Sequence, residues 1–390
     1  MYKFLNSIAL LLALALLAGC GAGISEGRQS VELFAVNVGK GDALILRVDG
    51  WVGLIDAGKP WAMGRVRAAL RALDVTALDA VFLTHTDNDH GGGLEWLAAS
   101  DIPVGAWYAS GYFTGVKEKK HPAVEAASER GAEVRWLVRG DAVPLGDTGA
   151  VLRVLAPTRL FTDKDDNNSL VLMLETAQGR ALLTGDMELP EEAALLAEGD
   201  DLNCTILKAP NHGDDDTVSE VFANACRAQA ALISTDSQEK PGTPDPGVVS
   251  RLMAAGTACY VTQDAGLGLR ATLSGGQATV EYVNIDVPAA DGVAIESVVP
   301  GADTVTLYNS GAALDLTGWS LYSDRGDELY LFPDGYVLPA GGRVTVGTRS
   351  SDGGYDLLWD DKKVVHKSKT DDIALYDAYG RAVDVMSNGL

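Results

Sequence analysis

The sequence predicts a layered α/β domain followed by a small all-β sandwich. Three observations point there. From about residue 30, short apolar runs alternate with turns and with segments of helical spacing. Near "DVPAADG" (286–292) the composition shifts, and from about 290 to 390 strands rich in Val, Thr, Leu and Tyr follow one another with no good helix. At 390 residues the chain is too long for one ordinary core, which suits two domains, 30–285 and 290–390, plus a targeting segment.

That segment is residues 1–20. Lys3 precedes the apolar "SIALLLALALLAG", which is too short and wrongly flanked for a comfortable membrane span. It ends in "LAGC", which resembles a bacterial lipobox, with Cys20 as the lipid-bearing residue; an ordinary signal peptide with an unrelated cysteine is the alternative. Acyl chains contributing about 0.8 kcal/mol per buried methylene would anchor the protein to a membrane on the extracytoplasmic side. Cys204, Cys226 and Cys259 are widely spaced and read as buried small hydrophobes, with one disulfide as an alternative. The net charge of −23 repels nucleic acid and anionic lipid unless a local basic patch or bound cations reverse it.

Along the first domain, "VELFAVNV", "DALILRV" and "WVGLID" read as strands, and "MGRVRAALRAL" as a helix with Val66, Leu70 and Leu73 on one face. The apolar strand "LDAVFLT" follows. Then "VLRVLAP", "SLVLMLET", "RALLTGD", "CTILKAP", "QAALIST", "ACYVTQD", "GLRATLS" and "ATVEYVNI" read as strands; "LPEEAALLAE", "TVSEVFANAC" and "DPGVVSRLMAAG" read as helices between them. In the second domain "TVTLYNSG", "LTGWSLYS", "DELYLFP", "GGRVTVGT" and "DIALYDAYG" are strands separated by turn residues.

The chemistry concentrates in "FLTHTDNDHGGG" (82–93), which holds two of the five histidines. His85, Asp87, Asp89 and His90 crowd the end of an apolar strand, an arrangement that is costly unless a cation holds it together. Imidazole suits zinc, and carboxylate suits zinc, manganese or magnesium. A calcium loop is excluded, because Gly91 stands where a third ligand belongs; "DKDDNNSL" (163–170) lacks the Glu such a loop requires. A solvated acidic turn remains the plain alternative. Two distant positions repeat the device of a strand delivering one ligand: Asp186 after "LLTG", and His212 after "ILKAPN".

"VNVGKGDALIL", "LIDAG", "LTHTDNDHGGGL", "NNSLVLML", "ALLTGD", "ILKAPNHGD" and "GTPDPGVVSRL" resemble, in family order over about 31–275, the metallo-β-lactamase fold, in the branch attached to the ComEC-type DNA-uptake channel. The resemblance implies an αββα sandwich with one or two divalent ions, zinc or manganese, at one edge. It assigns ligands to His85, Asp89, His90, Asp186 (bridging) and His212. Asp89 also orients the attacking water. Asp87 stands where the general motif has its second histidine. Asn168 lies near the usual third ligand, Asn211 replaces a histidine, and Thr243 replaces another. The ligand set is therefore oxygen-rich. Lys117, Lys119 and Lys120, with His121, form the best basic cluster, and together with Asn168 and Lys208 they are the candidates for substrate contact; a solvated surface run is the alternative for the cluster.

The C-terminal part, about 291–390, resembles the lamin-tail domain, an immunoglobulin-like sandwich, through Leu316, Gly318, Trp319 and Leu321. Trp319 is expected as a core anchor, and His366 beside Lys362, Lys363 and Lys367 as a solvated loop. The two resemblances imply a surface-anchored metal-dependent hydrolase of phosphodiesters, with nucleic acid as substrate. Hydrolysis of another ester is one alternative; a non-catalytic surface protein that binds DNA or a partner is the other.

Overall fold

A computed structural model of the chain describes residues 29–112 and 121–390. The targeting segment with Cys20, and Lys117, Lys119 and Lys120, lie outside the described residues.

Strands β1 (Val31–Val36), β2 (Leu44–Val48), β3 (Trp51–Ile55), β4 (Ala80–Leu83), β5 (Trp107–Ser110) and β6 (Val134–Leu137) build most of one sheet. The second sheet comprises β7 (Ala142–Pro144), β8 (Val151–Ala156), β9 (Val171–Thr176), β10 (Gly179–Leu183), β11 (Ile206–Lys208), β12 (Ala230–Ile233) and β13 (Ala258–Val261). β14 (Gly268–Ser274) and β15 (Gln277–Val283) return to the first. The orders are β15-β14-β1-β2-β3-β4-β5-β6 and β13-β12-β11-β10-β9-β8-β7. Six helices accompany them: α1 (Met63–Ala72), α2 (Asn88–Ala99), α3 (Pro122–Glu129), α4 (Leu189–Glu198), α5 (Glu220–Cys226) and α6 (Pro246–Ala254).

Successive strand residues point to opposite faces, so apolar pairs in sequence feed two cores at once. Leu33, Leu46 and Phe82 of the first sheet meet Leu172, Leu183 and Leu232 of the second in a core between the sheets. Their neighbours Phe34, Ile45 and Val81 turn outward onto α1, α2 and α3. Leu182, Leu207 and Ala231 turn onto α4, α5 and α6. The result is four layers, α-β-β-α.

The pairing of β3 through β6 is parallel, and so is that of β10 through β13. Parallel strands end at a common edge, where open α/β sheets place their sites. Asp56, His85, Asp186, His212 and Ser234 follow β3, β4, β10, β11 and β12 there.

From Val293 to Ser387 the chain forms two four-stranded sheets and a two-stranded ribbon. Leu307, Trp319, Leu321, Val344 and Trp359 share their core, and Trp319 is buried as an anchor. This sandwich docks beside α1. Trp61 stacks on Tyr376 with ring centroids 5.8 Å apart, and Arg65 Nε donates to the Gly380 carbonyl at 3.1 Å. A Cβ on Gly380 would lie 2.4 Å from Arg65 Cγ, so glycine is what lets the two backbones approach.

Candidate metal centre

The metal loop runs from β4 into α2, with Asp89 and His90 in the first helical turn. Glycine is a poor helix residue, yet three follow His90. A Cβ on Gly93 would lie 2.4 Å from the Ala57 carbonyl oxygen, so α2 starts in contact with the end of β3 only because that side chain is missing. His212 and Asn211 adopt left-handed conformations, φ 55° and 39°. Backbone of this kind costs roughly 1–3 kcal/mol per residue. Here it turns the imidazole inward from the strand end.

His85, His90 and His212 are each oriented by an acceptor on Nδ1. His212 Nδ1 lies 2.8 Å from the Ser234 carbonyl oxygen, which can only accept, so the proton sits on Nδ1 and Nε2 faces the cavity. His90 Nδ1 lies 2.7 Å from Asp56 Oδ2, with the same consequence. Thr84 Oγ1 donates to Asp56 Oδ2 at 2.6 Å and lies 3.1 Å from His85 Nδ1, which turns His85 Nε2 inward as well. Asp56 is thereby used up as an acceptor, since its Oδ1 takes the Thr84 N–H at 2.8 Å.

The inward atoms converge. Asp89, His90, Asp186 and His212 offer ligand atoms that all lie within 4.8 Å of one another, and all four residues are buried. His90 Nε2 is 3.3 Å from His212 Nε2, and the Asp186 oxygens lie 3.0 Å from each. His85, Asp87 and Asp166 form a second group, more open and richer in oxygen. Asp166 is also within electrostatic reach of Asp186.

The residues fit a divalent cation. His85 is fully buried, and its Nε2 has no hydrogen-bond partner among the described residues. Asp186 Oδ1 also lacks a bond of acceptable geometry, although His90 Nε2 is 3.0 Å away. Without a cation the cluster compensates with protons. Burial lowers the pKa of His90, but the Asp186 and Asp56 carboxylates overcome it and hold the ring well above its ordinary value. Burial raises Asp186, yet His212 and His90 pull it well below the carboxylate range. A divalent ion would supply the charge those protons bring.

Other expected site residues lie elsewhere. Lys208 is buried, with Nζ 2.6 Å from Asp42 Oδ2 and donating to the Ala209 carbonyl at 2.7 Å. An ammonium so enclosed is not placed to touch substrate. The Asn168 side chain accepts from Phe161 N and donates to Phe161 O, both at 2.9 Å, and so staples its own loop instead of facing a ligand. His121 is no phosphate receptor. It is buried, its Nδ1 accepts from Ala123 N–H at the start of α3, and burial lowers its pKa. Thr243 and Asn211 take no part in either ligand group; the Thr243 hydroxyl bonds Thr235 Oγ1 at 2.6 Å.

Asp166, Asp56 and Lys40 join the site beyond the residues expected from the sequence. Asp56 ends a strand as Asp186 does, so its signal was present. Asp166 sits in an acidic run with nothing local to single it out. Lys40 Nζ lies 2.5 Å from Asp89 Oδ2. Partial burial lowers its pKa, but Asp89, Asp186 and Asp87 together raise it to about 12.

The chain is similar to several known proteins. The chain is 28% identical over 246 residues to ComE operon protein 3 of Bacillus subtilis, covering 58% of this chain and 31% of that protein. It is 27% identical over 235 residues to competence protein ComA of Neisseria gonorrhoeae, covering 60% and 31%. The chain thus spans about a third of the length of these relatives. Among solved structures, a diphosphatase from the PhnP family is 16% identical with a TM-score of 0.39, over 63% of this chain and 98% of that one. The lamin tail domain model matches residues 286–389. The metallo-beta-lactamase superfamily model matches residues 36–232, half of the chain, and the protein belongs to that superfamily.

Proposed function

We propose that this protein is a surface-anchored, metal-dependent hydrolase of phosphodiesters, acting on DNA during uptake or on extracellular nucleic acid. The observation that carries the reading is two ligand groups at one edge of the sheets, seven side chains drawn from four separate segments of the chain. Similarity to a competence protein supports the uptake part of this reading. The membrane attachment rests on Cys20; among the described residues no helix is long and apolar enough to cross a membrane.

When bound, zinc or manganese supplies Lewis acidity and an acidified water at neutral pH. The chain's own residues do the rest. Ser234, Asp56 and Thr84 hold the three imidazoles with Nε2 inward. Asp186 places one oxygen 3.0 Å from each of the His90 and His212 Nε2 atoms, within electrostatic reach of Asp166. Asp89, beside the open side, orients the attacking water and accepts its hydrogen bond.

A second reading, hydrolysis of a small ester, is favoured by the surroundings. A cleft of about 700 Å³ between the two domains reaches Asn88 of the metal loop. Asp236, Glu239, Asp324 and Asp372 line it, while its cations are engaged, Lys59 with Glu239 at 2.7 Å and Arg65 with Gly380. A long polyanion is repelled along that side.

The test is elemental analysis of the purified protein, followed by DNA cleavage with added Mn²⁺ or Zn²⁺. One or two bound ions and cutting that Asp186→Ala abolishes are expected. Turnover of carboxylic esters but not of bis-p-nitrophenyl phosphate would establish the second reading. DNA binding that Asp186→Ala leaves unchanged, without cutting, would make the protein a binding module.

A further inference from the structure

Lys40 stands on the turn between β1 and β2, and the roles derived above do not use it. The turn itself is fixed. A Cβ on Gly41 would lie 2.5 Å from the Asp89 carbonyl oxygen, and Asp42 N–H donates to that oxygen at 3.0 Å. Gly58 N–H in turn donates to the Asp42 carbonyl at 2.8 Å. The backbone is therefore tied to α2, and what can move is the four-carbon side chain.

Its ammonium sits on Asp89 Oδ2, the same oxygen that lies 3.4 Å from His212 Nε2. The Lys40 side chain is 23% exposed, whereas His212 is fully buried, so the lysine approaches the cluster from its solvent side. Asp214, itself paired with Lys240 at 3.0 Å, lies within its electrostatic reach on that side. Among the described residues, no other Lys or Arg is ion-paired with a member of either ligand group.

A divalent cation and the Lys40 ammonium are like charges claiming one carboxylate oxygen. The flexible one gives way, because the imidazoles and Asp186 are fully buried and fixed while the Lys40 side chain is partly exposed. A lysine suits this exchange, being a compact point charge on a mobile stem that also binds phosphate. We propose that Lys40 neutralises Asp89 in the metal-free protein, is displaced to the mouth when a divalent cation takes that oxygen, and there holds an anionic phosphate oxygen of the substrate. This rests on the metal-dependent reading above.

The experiment uses the full chain, stripped of metal with a chelator, as wild type, Lys40→Met and Lys40→Arg. Zn²⁺ affinity is measured by competition with a chromophoric chelator, and inorganic phosphate affinity by calorimetry on the zinc-loaded protein. Lys40→Met is expected to bind Zn²⁺ roughly tenfold tighter, because a competing charge at short range is gone, and phosphate roughly tenfold more weakly. Its metal-free form melts at a lower temperature than the wild type. Lys40→Arg keeps the charge and stays within about threefold of wild type for Zn²⁺. If the Zn²⁺ affinity of Lys40→Met equals or falls below that of wild type, displacement is wrong; unchanged phosphate affinity overturns the anchoring role. Wild-type protein that binds no divalent cation overturns the metal-dependent reading and this proposal together, whereas tight wild-type binding with an indifferent Lys40→Met overturns this proposal alone.

Discussion

The two domains bury the same kind of side chain to opposite ends. In the C-terminal sandwich Asp303 is 1% exposed, but its carboxylate is saturated. Thr348 Oγ1 and Ser350 Oγ donate to it at 2.6 and 2.7 Å, and Val365 N–H at 2.7 Å. Asp371 is held likewise by Ser323 Oγ, Arg325 N–H and His366 N–H. At the strand edge of the first domain, Asp186 and His85 are as deeply buried, yet each keeps an unbonded atom and each belongs to a cluster of other acids and imidazoles. Burial by itself does not mark a site. A buried polar group whose donors are all local is architecture; one left short of partners beside others like it awaits a ligand.

This contrast can be broken by experiment. Asp186→Ala should reduce hydrolysis by about a thousandfold or more, because the carboxylate that sits 3.0 Å from both His90 and His212 is lost, while shifting the melting temperature little. Asp303→Ala should do the reverse, costing about 3 kcal/mol of stability by stranding several buried donors and leaving the turnover of the folded fraction unchanged. Assays on both variants beside denaturant unfolding curves decide the matter. A folded but inactive Asp303→Ala, or an Asp186→Ala that fails to fold, would break the distinction.

Asp56→Asn probes the supporting layer. The residue stands outside the two ligand groups described above, yet it fixes His90, so metal affinity should fall about 10- to 100-fold with the fold retained. Chelator competition measures this; an unchanged affinity would mean that His90 is held in place by packing alone.

Glu191 gives the smallest effect and an intermediate case, a buried acid away from the edge with too few donors. It is fully buried and accepts from Thr158 N–H at 2.7 Å and from the Thr158 hydroxyl at 3.2 Å. Burial raises its pKa to about 7 against the lowering effect of Thr158. The folded state therefore holds this proton more tightly than the unfolded one. The stabilising contribution is complete below the ordinary carboxylate pKa and is lost as pH rises through about 7, a change of roughly 1–3 kcal/mol. Glu191→Gln should flatten that part of the stability profile, as unfolding measured between pH 4 and pH 8 would reveal.

Much of this was legible in the residues. β1 to β4, β8 to β12 and four of the helices follow from apolar periodicity. His85, Asp89, His90, Asp186 and His212 announce themselves as polar residues ending apolar runs. The stretch from β5 to β7 was not legible. Its strands have three or four residues and mixed polarity, and β5 and β6 exist because each extends the parallel ladder from β4. Asp166 was hidden because a run of acids offers no local reason to prefer one of them. Lys208 and Lys40 could not be ranked either: one side chain turns onto Asp42 in the interior, the other onto Asp89 from the solvent side of the cluster, and direction is a property of packing.

The sequence by itself determined which chemical groups this protein owns and the strand ends that present them, because periodicity and glycine placement act within a few residues. Only the tertiary structure decided that these groups meet. His90 and His212 are 122 positions apart in the chain, yet their Nε2 atoms lie 3.3 Å from each other. Parallel pairing of two stacked sheets ends all the relevant strands at one edge, and no stretch of local sequence encodes that convergence.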